Sequence, residues 1–307
     1  MTTPLTVIPV PGDGAEDVVV DPEGWVYTGT ADGSVFRVQP DGRRIDRVGD
    51  TGGRPLGLEL LPDGRILVCD SHRGLLALDP GSGSIEVLTA LVNGQRMLFC
   101  NNAAVHSSGD IYFSDSSRIF PLEQWRADLV ENTASGRLFR RAADGSVEVL
   151  LEGLRFANGV ALSTDESFVA VAESAGRTVV RLWLTGPRAG EVDHIATELP
   201  GYPDNIARGS DGLIWVTIGS PRSALVERLM RAPMPVRRAA WRIPEALQPR
   251  PARTVLVMAF DDTGRVVHDI SADASSFHMA TGVREHHGRV WVGSLAEPAI
   301  AVLDVPS

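Results

Sequence analysis

A chain of 307 residues, 43% hydrophobic and 22% charged, has the balance of a soluble globular protein and enough length to bury a core unaided. Its net charge of −10 repels nucleic acid unless a local basic patch intervenes, so no nucleic-acid partner is expected. All 29 basic residues are Arg, a bias of the kind GC-rich coding produces.

Taken in order, the N-terminal MTTPLTVIPVPGDGAED lacks the basic start and apolar core of a secretory leader. No run approaches the ~18 apolar residues of a membrane span. A soluble, cytoplasmic protein without a span is therefore expected, monomeric or weakly self-associating. Cys69 and Cys100 are too few for a disulfide framework and lack zinc spacing, so they read as buried thiols.

A β-rich stretch, a D-x-G-like turn and a second β-rich stretch then recur six times, at Val18–Gly29, Leu58–Asp70, Ala103–Asp115, Val160–Glu173, Ile206–Ile218 and Val283–Ser294. Gly24, Gly64, Gly109, Gly212 and Gly288 supply the positive φ of tight hairpins, and Glu166 stands in that place in the fourth copy. Second hairpins follow, for example over Gly33–Arg43 and Gly74–Ser84. Four short strands per repeat of about 40–50 residues make a propeller blade. The expectation is an all-β, six-bladed β-propeller over residues 1–307, with inner strands near 18–21, 57–61, 103–106, 159–163, 206–208 and 281–285. Leu5–Val10 has no turn partner and is expected to close the ring as the outer strand of blade six. Ser220–Arg253 interrupts blade five with Pro-punctuated helical pieces carrying eight Arg and two Glu. It reads as a lid over the tunnel mouth, with a membrane-surface contact or plain packing as the other readings.

Counting eight residues back from each turn position gives Glu16, Leu56, Asn101, Asn158, Asp204 and Ala280. Four of these six carry a carboxylate or carboxamide. Inner strands line a propeller's central tunnel, so one register becomes one ring, and the oxygens of Glu16, Asn101, Asn158 and Asp204 should converge. Hard oxygen donors without sulfur suit calcium, and then magnesium or manganese; zinc is disfavoured because no His or Cys stands in the ring. Asp17, Asn102 and Asn205 follow directly and are expected to support the ligands. Among the histidines, His278 precedes the inner strand of blade six and His72 follows the second strand of blade two. They are the candidates for a base or a substrate contact.

These segments, notably Gly53–Gly64, Cys100–Ser117, Leu154–Glu166, Leu199–Arg222 and Val283–Leu295, resemble the SMP-30/gluconolactonase and strictosidine-synthase-like superfamily, which also holds the paraoxonase-like lactonases. Within it the chain is most similar to the strictosidine-synthase-like, adipocyte plasma membrane-associated branch. The resemblance implies a six-bladed propeller with a divalent cation in its tunnel, held at positions that map onto Glu16, Asn101, Asn158 and Asp204. It further implies chemistry on a small-molecule substrate. Strictosidine synthases use a Glu near the start of blade six where Thr281 stands here, so C–N bond formation is the secondary reading. A metal-dependent hydrolase of a lactone or ester is the primary one, and a non-catalytic propeller that binds a partner is the third. Asp204, with His278 as its rival, is the expected base, and Asn101, His72 and Tyr202 are the expected substrate contacts.

Overall fold

The computed structural model describes residues 2–243 and 252–306. Six four-stranded antiparallel sheets succeed one another along the chain, each beginning with its inner strand. Those inner strands are Val18–Val20, Pro55–Leu60, Cys100–Val105, Ala157–Leu162, Gly201–Arg208 and Ala280–His286, in the expected places. Thr6–Pro9 pairs antiparallel with Ala299–Asp304, from Thr6 opposite Val302 to Pro9 opposite Ala299. The N-terminal strand therefore closes blade six, as its lack of a local partner predicts.

Apolar side chains alternate along the strands and pack between neighbouring blades. Six of the hydrophobic clusters each bridge one pair of consecutive blades, the last joining blade six back to blade one through Trp291 and Val18. Each blade thus buries one face against its predecessor and the other against its successor, which is why the ring must close to leave no bare face. A seventh cluster lies outside these inter-blade seams: Leu56, Phe99, Phe156, Ala175 and Met230, with Trp125 and Leu129 against them.

The hairpin turns behave as their residues require. Gly24, Gly64, Gly109, Gly212 and Gly288 have φ of +87, +85, +87, +79 and +80°. Glu166 adopts φ +57° despite its side chain, and its carboxylate accepts the Ser107 backbone N–H at 2.7 Å and pairs with His106 at 3.3 Å. Those contacts to the blade-three turn offset the cost of a left-handed non-Gly residue, about 1 kcal/mol.

Two connections between second and third strands leave the sheets. In blade three, residues 116–135 hold the helix α1 (Trp125–Glu131), which the sequence reading passed over. In blade five, the expected insertion holds α2 (Ala224–Arg231) and α3 (Met234–Trp241); the second strand of that blade runs on to Pro221, so the insertion starts later than Ser220. Its remainder at 244–251 lies outside the described residues. A two-stranded hairpin, Leu91–Val92 with Gln95–Arg96, was also not anticipated. Trp241 Nε1 donates to Glu131 Oε1 at 2.8 Å and Arg237 to the Glu131 carbonyl at 2.8 Å, which ties α3 to α1. No described helix is long and apolar enough to cross a membrane.

Neighbouring inner strands approach so closely that glycine is obligatory at three points. A Cβ at position 159 would lie 2.0 Å from the Ile206 nitrogen, and at 57 and 282 it would fall 2.6 and 2.5 Å from backbone atoms of the next blade. Gly159→Ala should lower unfolding stability by ~3 kcal/mol or more, because the obstacle is backbone. Gly81→Ala on an exposed turn should stay within about 0.5 kcal/mol. Urea denaturation of the two variants checks this.

Candidate metal centre and its cavity

Five of the six inner strands slip register at the same height: between Pro55 and Leu58, Cys100 and Ala103, Ala157 and Val160, Pro203 and Ile206, and Ala280 and Val283. A bulge breaks the strict in-and-out alternation of a strand and re-aims its side chains. The first bulge residue of each blade is Leu56, Asn101, Asn158, Asp204 or Thr281. Together with Glu16, which leads into blade one, all six line one cavity of about 460 Å³. The blade-six member is thus Thr281, a correction by one residue to the count that gave Ala280.

The residue that follows each of these six alternates around the ring. Gly57, Gly159 and Gly282 permit the close approach described above, while Asp17, Asn102 and Asn205 reach sideways. Asp17 Oδ2 accepts the Leu58 N–H at 2.9 Å and the Asn102 amide at 3.2 Å. Asn102 Oδ1 accepts the Val160 N–H at 2.9 Å, and the Asn205 amide donates to Glu16 Oε1 at 3.2 Å. All three side chains thus reach a neighbouring blade and stitch the ring together, and Asn205 alone bonds a residue of the expected ligand set, Glu16.

Four oxygen-bearing groups converge on the cavity floor. Glu16, Asn101 and Asn158 are buried and Asp204 is partly so. Asn101 Oδ1, Asn158 Oδ1 and Asn205 Oδ1 are buried acceptors without a hydrogen-bond partner. An unpaired buried carbonyl oxygen costs about 1–3 kcal/mol, and two of the three, Asn101 Oδ1 and Asn158 Oδ1, belong to residues that line the cavity. Burial, with repulsion from Asp17 and Asp204, holds the Glu16 carboxyl well above its ordinary range, against the pull of Arg54. Burial lifts Asp17 to about 6, and lifts Asp204 to about 7 against the Asn158 amide beside it. Burial is the first cause in all three; Asp17 and Asp204 add to Glu16 and Asp17 adds to Asp204, while Arg54 and Arg284 only partly offset the rise at Glu16 and Asp17. Among the described residues no three His, Cys, Asp or Glu form a metal cluster, because half of the ring's donors are carboxamides. This donor set fits a hard cation such as calcium.

The walls above the floor are mostly apolar, with Arg126, Arg222, Ser220 and Ser223 also in the lining. Phe99 and Phe156 meet edge to face at 5.4 Å, and α1 contributes Trp125 and Leu129 while α2 contributes Val226 and Leu229. Tyr202 lines the cavity as expected, its hydroxyl donating to Glu227 at 3.3 Å. The two other sequence candidates do not. His278 is not among the cavity's lining residues, and its Nδ1 bonds Glu297, which also lies 3.7 Å from Arg253. His72 is 43% exposed and pairs with Glu123 at 2.7 Å. Two groups escaped the sequence reading, α1 and the serines Ser116 and Ser174 that touch Asn101 and Asn158.

The comparisons with known proteins bear on this arrangement. Family models for strictosidine synthase-like proteins, N-terminal part, and for strictosidine synthase match residues 4–38 and 101–187. An adipocyte plasma membrane-associated protein from Salmo salar is 30% identical over 94% of this chain and 77% of its own length. Protein strictosidine synthase-like 10 from Arabidopsis thaliana is 30% identical over 95% and 85%. The chain belongs to the strictosidine synthase-like family. As a family member it shares its fold with a gluconolactonase from Xanthomonas campestris, at TM-score 0.71 and 18% identity over 98% of this chain and 89% of that one. A calcium-binding protein, regucalcin, from Agrobacterium tumefaciens gives TM-score 0.69 and 15% identity over 99% and 95%.

The raised acids set a sign for stability. Between about pH 4, where an unfolded Asp titrates, and pH 7 the folded chain retains protons that the unfolded chain releases. Stability of cation-free protein should therefore fall as pH rises through that window. Asp204→Asn should make the fall shallower, read from urea unfolding in chelator at pH 5, 6, 7 and 8.

Proposed function

We propose that this strictosidine synthase-like protein is a divalent-cation-dependent hydrolase of lactones or related esters carried on apolar scaffolds. The observation that carries the reading is the set of orphaned carboxamide oxygens and proton-hungry carboxylates on the floor of an apolar cavity. Glu16, Asn101, Asn158 and Asp204 would hold the cation, calcium in the first instance. When bound, it supplies Lewis acidity for a carbonyl and the oxyanion that develops from it.

The chain's own residues supply the rest. None of the cavity's lining residues is a histidine, so Asp204 is the candidate proton acceptor, and His278 loses that role to its bond with Glu297. Gly219 leaves space beside it: a Cβ there would sit 3.0 Å from Asp204 Oδ2. Phe99, Phe156 and Trp125 would orient an acyl or aryl group and keep bulk water from the floor. Apart from Arg126, Arg222, Tyr202 and a few serines the walls are apolar, so they suit an apolar group better than a polyhydroxylated sugar lactone, whose hydroxyls would lose more water than these groups replace. The gluconolactonase named above supports the lactonase class through shared fold. The bond-forming reading has less support, since Thr281 lines the cavity where the family resemblance places a catalytic Glu.

Asp204→Ala should reduce cation affinity at least about 100-fold by removing an anionic ligand, with unfolding temperature in the parent, but not in the variant, dropping on chelation. Calorimetric titration and thermal melts with and without chelator test this. A panel of lactones and aryl esters should show kcat/KM for apolar members at least ~10-fold above that for sugar lactones, lost in chelator. Trp125→Ala, and separately replacement of residues 222–252 by a short turn, should raise KM about 10-fold on the best substrate while leaving the cation bound. Equal rates with and without chelator would leave the cation a purely structural role.

A further inference from the structure

Two of the four ring donors are carboxamides, and a carboxamide offers a cation either its oxygen or its useless NH2 end. Something must decide which. In blades three and four the residue that follows the second strand is a serine, Ser116 and Ser174. Ser116 Oγ donates to the Ala157 carbonyl at 2.7 Å, and Ser174 Oγ donates to the Pro203 carbonyl at 2.6 Å. A hydroxyl has one proton, so each serine is committed as a donor to the next blade and can only accept from anything else. What each accepts is the neighbouring amide: Asn101 Nδ2 at 2.9 Å and Asn158 Nδ2 at 3.2 Å. With the NH2 ends so fixed, the oxygens are left without partners, 96% and 97% buried residues notwithstanding, since Asn101 and Asn158 are only 4% and 3% exposed.

We infer that Ser116 and Ser174 are positioning residues that lock the ring's carboxamides with their oxygens toward the cation. The inference rests on the metal centre proposed above and adds its polarity switch. Within the molecule the pattern follows the need. Blade five contributes a carboxylate, both of whose oxygens are equivalent, and the matching position there is Gly219, with no hydroxyl. Blade two contributes Leu56, which has no amide to turn, and the hydroxyl of its matching Ser71 has no partner at all. The carbonyls that hold the two serines belong to Ala157 and Pro203, each one residue before a ring donor, Asn158 and Asp204. The lock therefore passes from one blade to the next, and each amide is oriented by the blade that supplies the following ligand.

The test is a double-mutant cycle on the full-length protein, with calcium and luminescent terbium as probes. Ser174→Ala should weaken cation binding about 10–100-fold, as loss of a ligand's supporting partner does. In an Asn158→Asp background, where no orientation has to be chosen, the same substitution should cost less than about twofold. Equal losses in both backgrounds would overturn the lock and make the serine a plain inter-blade brace, and an undiminished affinity in Ser174→Ala would overturn it outright. A second readout needs no cation. In 15N-labelled, chelated protein the Asn158 side-chain amide should show one slowly exchanging proton that Ser174→Ala abolishes. If the parent binds neither probe while this protected proton persists, the metal centre falls and the orientation stands; if the proton is unprotected in the parent, the orientation falls whatever the cation does.

Discussion

The bulge shared by the inner strands is the constraint on which the site depends. A regular strand alternates its side chains, so two successive residues cannot both be used at one height of the tunnel. Slipping the register by one residue frees a pair. The first member faces the cavity, and the second reaches along the ring to a neighbouring blade or, as glycine, lets that neighbour in. Cavity floor and blade-to-blade stitching are thus made by adjacent residues at one level, which couples the geometry of the floor to the packing of the whole ring.

Charge follows the same economy. Glu16, Asp17 and Asp204 are drawn together by the backbone rather than by mutual attraction, and burial raises all three. The fixed positive charges nearby do not cancel them. Arg54 is engaged with the Gly14 carbonyl at 2.9 Å and Arg284 reaches across from blade six to Glu59 in blade two at 2.8 Å. Buried acids raised in this way concentrate at functional sites, which is the physical ground for the cation centre proposed above.

Much of the fold was legible in the sequence because each repeat carries its own turn chemistry, and the ring donors follow from a fixed distance to that turn. The distance fails where the turn itself differs. In blade six His287 and Gly288, at φ +50 and +80°, form a two-residue reversal between His286 and Arg289, one residue shorter than its counterparts, so the count lands on Ala280 instead of Thr281. The helix α1 was missed because seven residues give little periodicity, and short helices are held by tertiary contacts such as those from Trp241 and Arg237 rather than by propensity. His278 and His72 sit near the mouth in sequence, but side-chain direction was set by Glu297 and Glu123, 19 and 51 residues away. The serines escaped for a related reason. Their meaning depends on carbonyls in the following blade, 41 and 29 residues further on.

Closure by Thr6–Pro9 has a consequence for how the molecule comes into being. During synthesis this strand emerges before blade one, and its partner, Ala299–Asp304, only after the rest of blade six. Blades one to five can assemble in turn while the first segment waits with an unpaired edge. Such distant pairings form slowly and leave apolar edges open to misassociation. Glu16 stands only a few residues beyond that waiting strand, and its carbonyl accepts the Gly282 N–H of blade six at 2.8 Å. The oxygen ring is therefore incomplete until blade one has met blade six, and its completion marks the moment the newborn propeller becomes a closed circle.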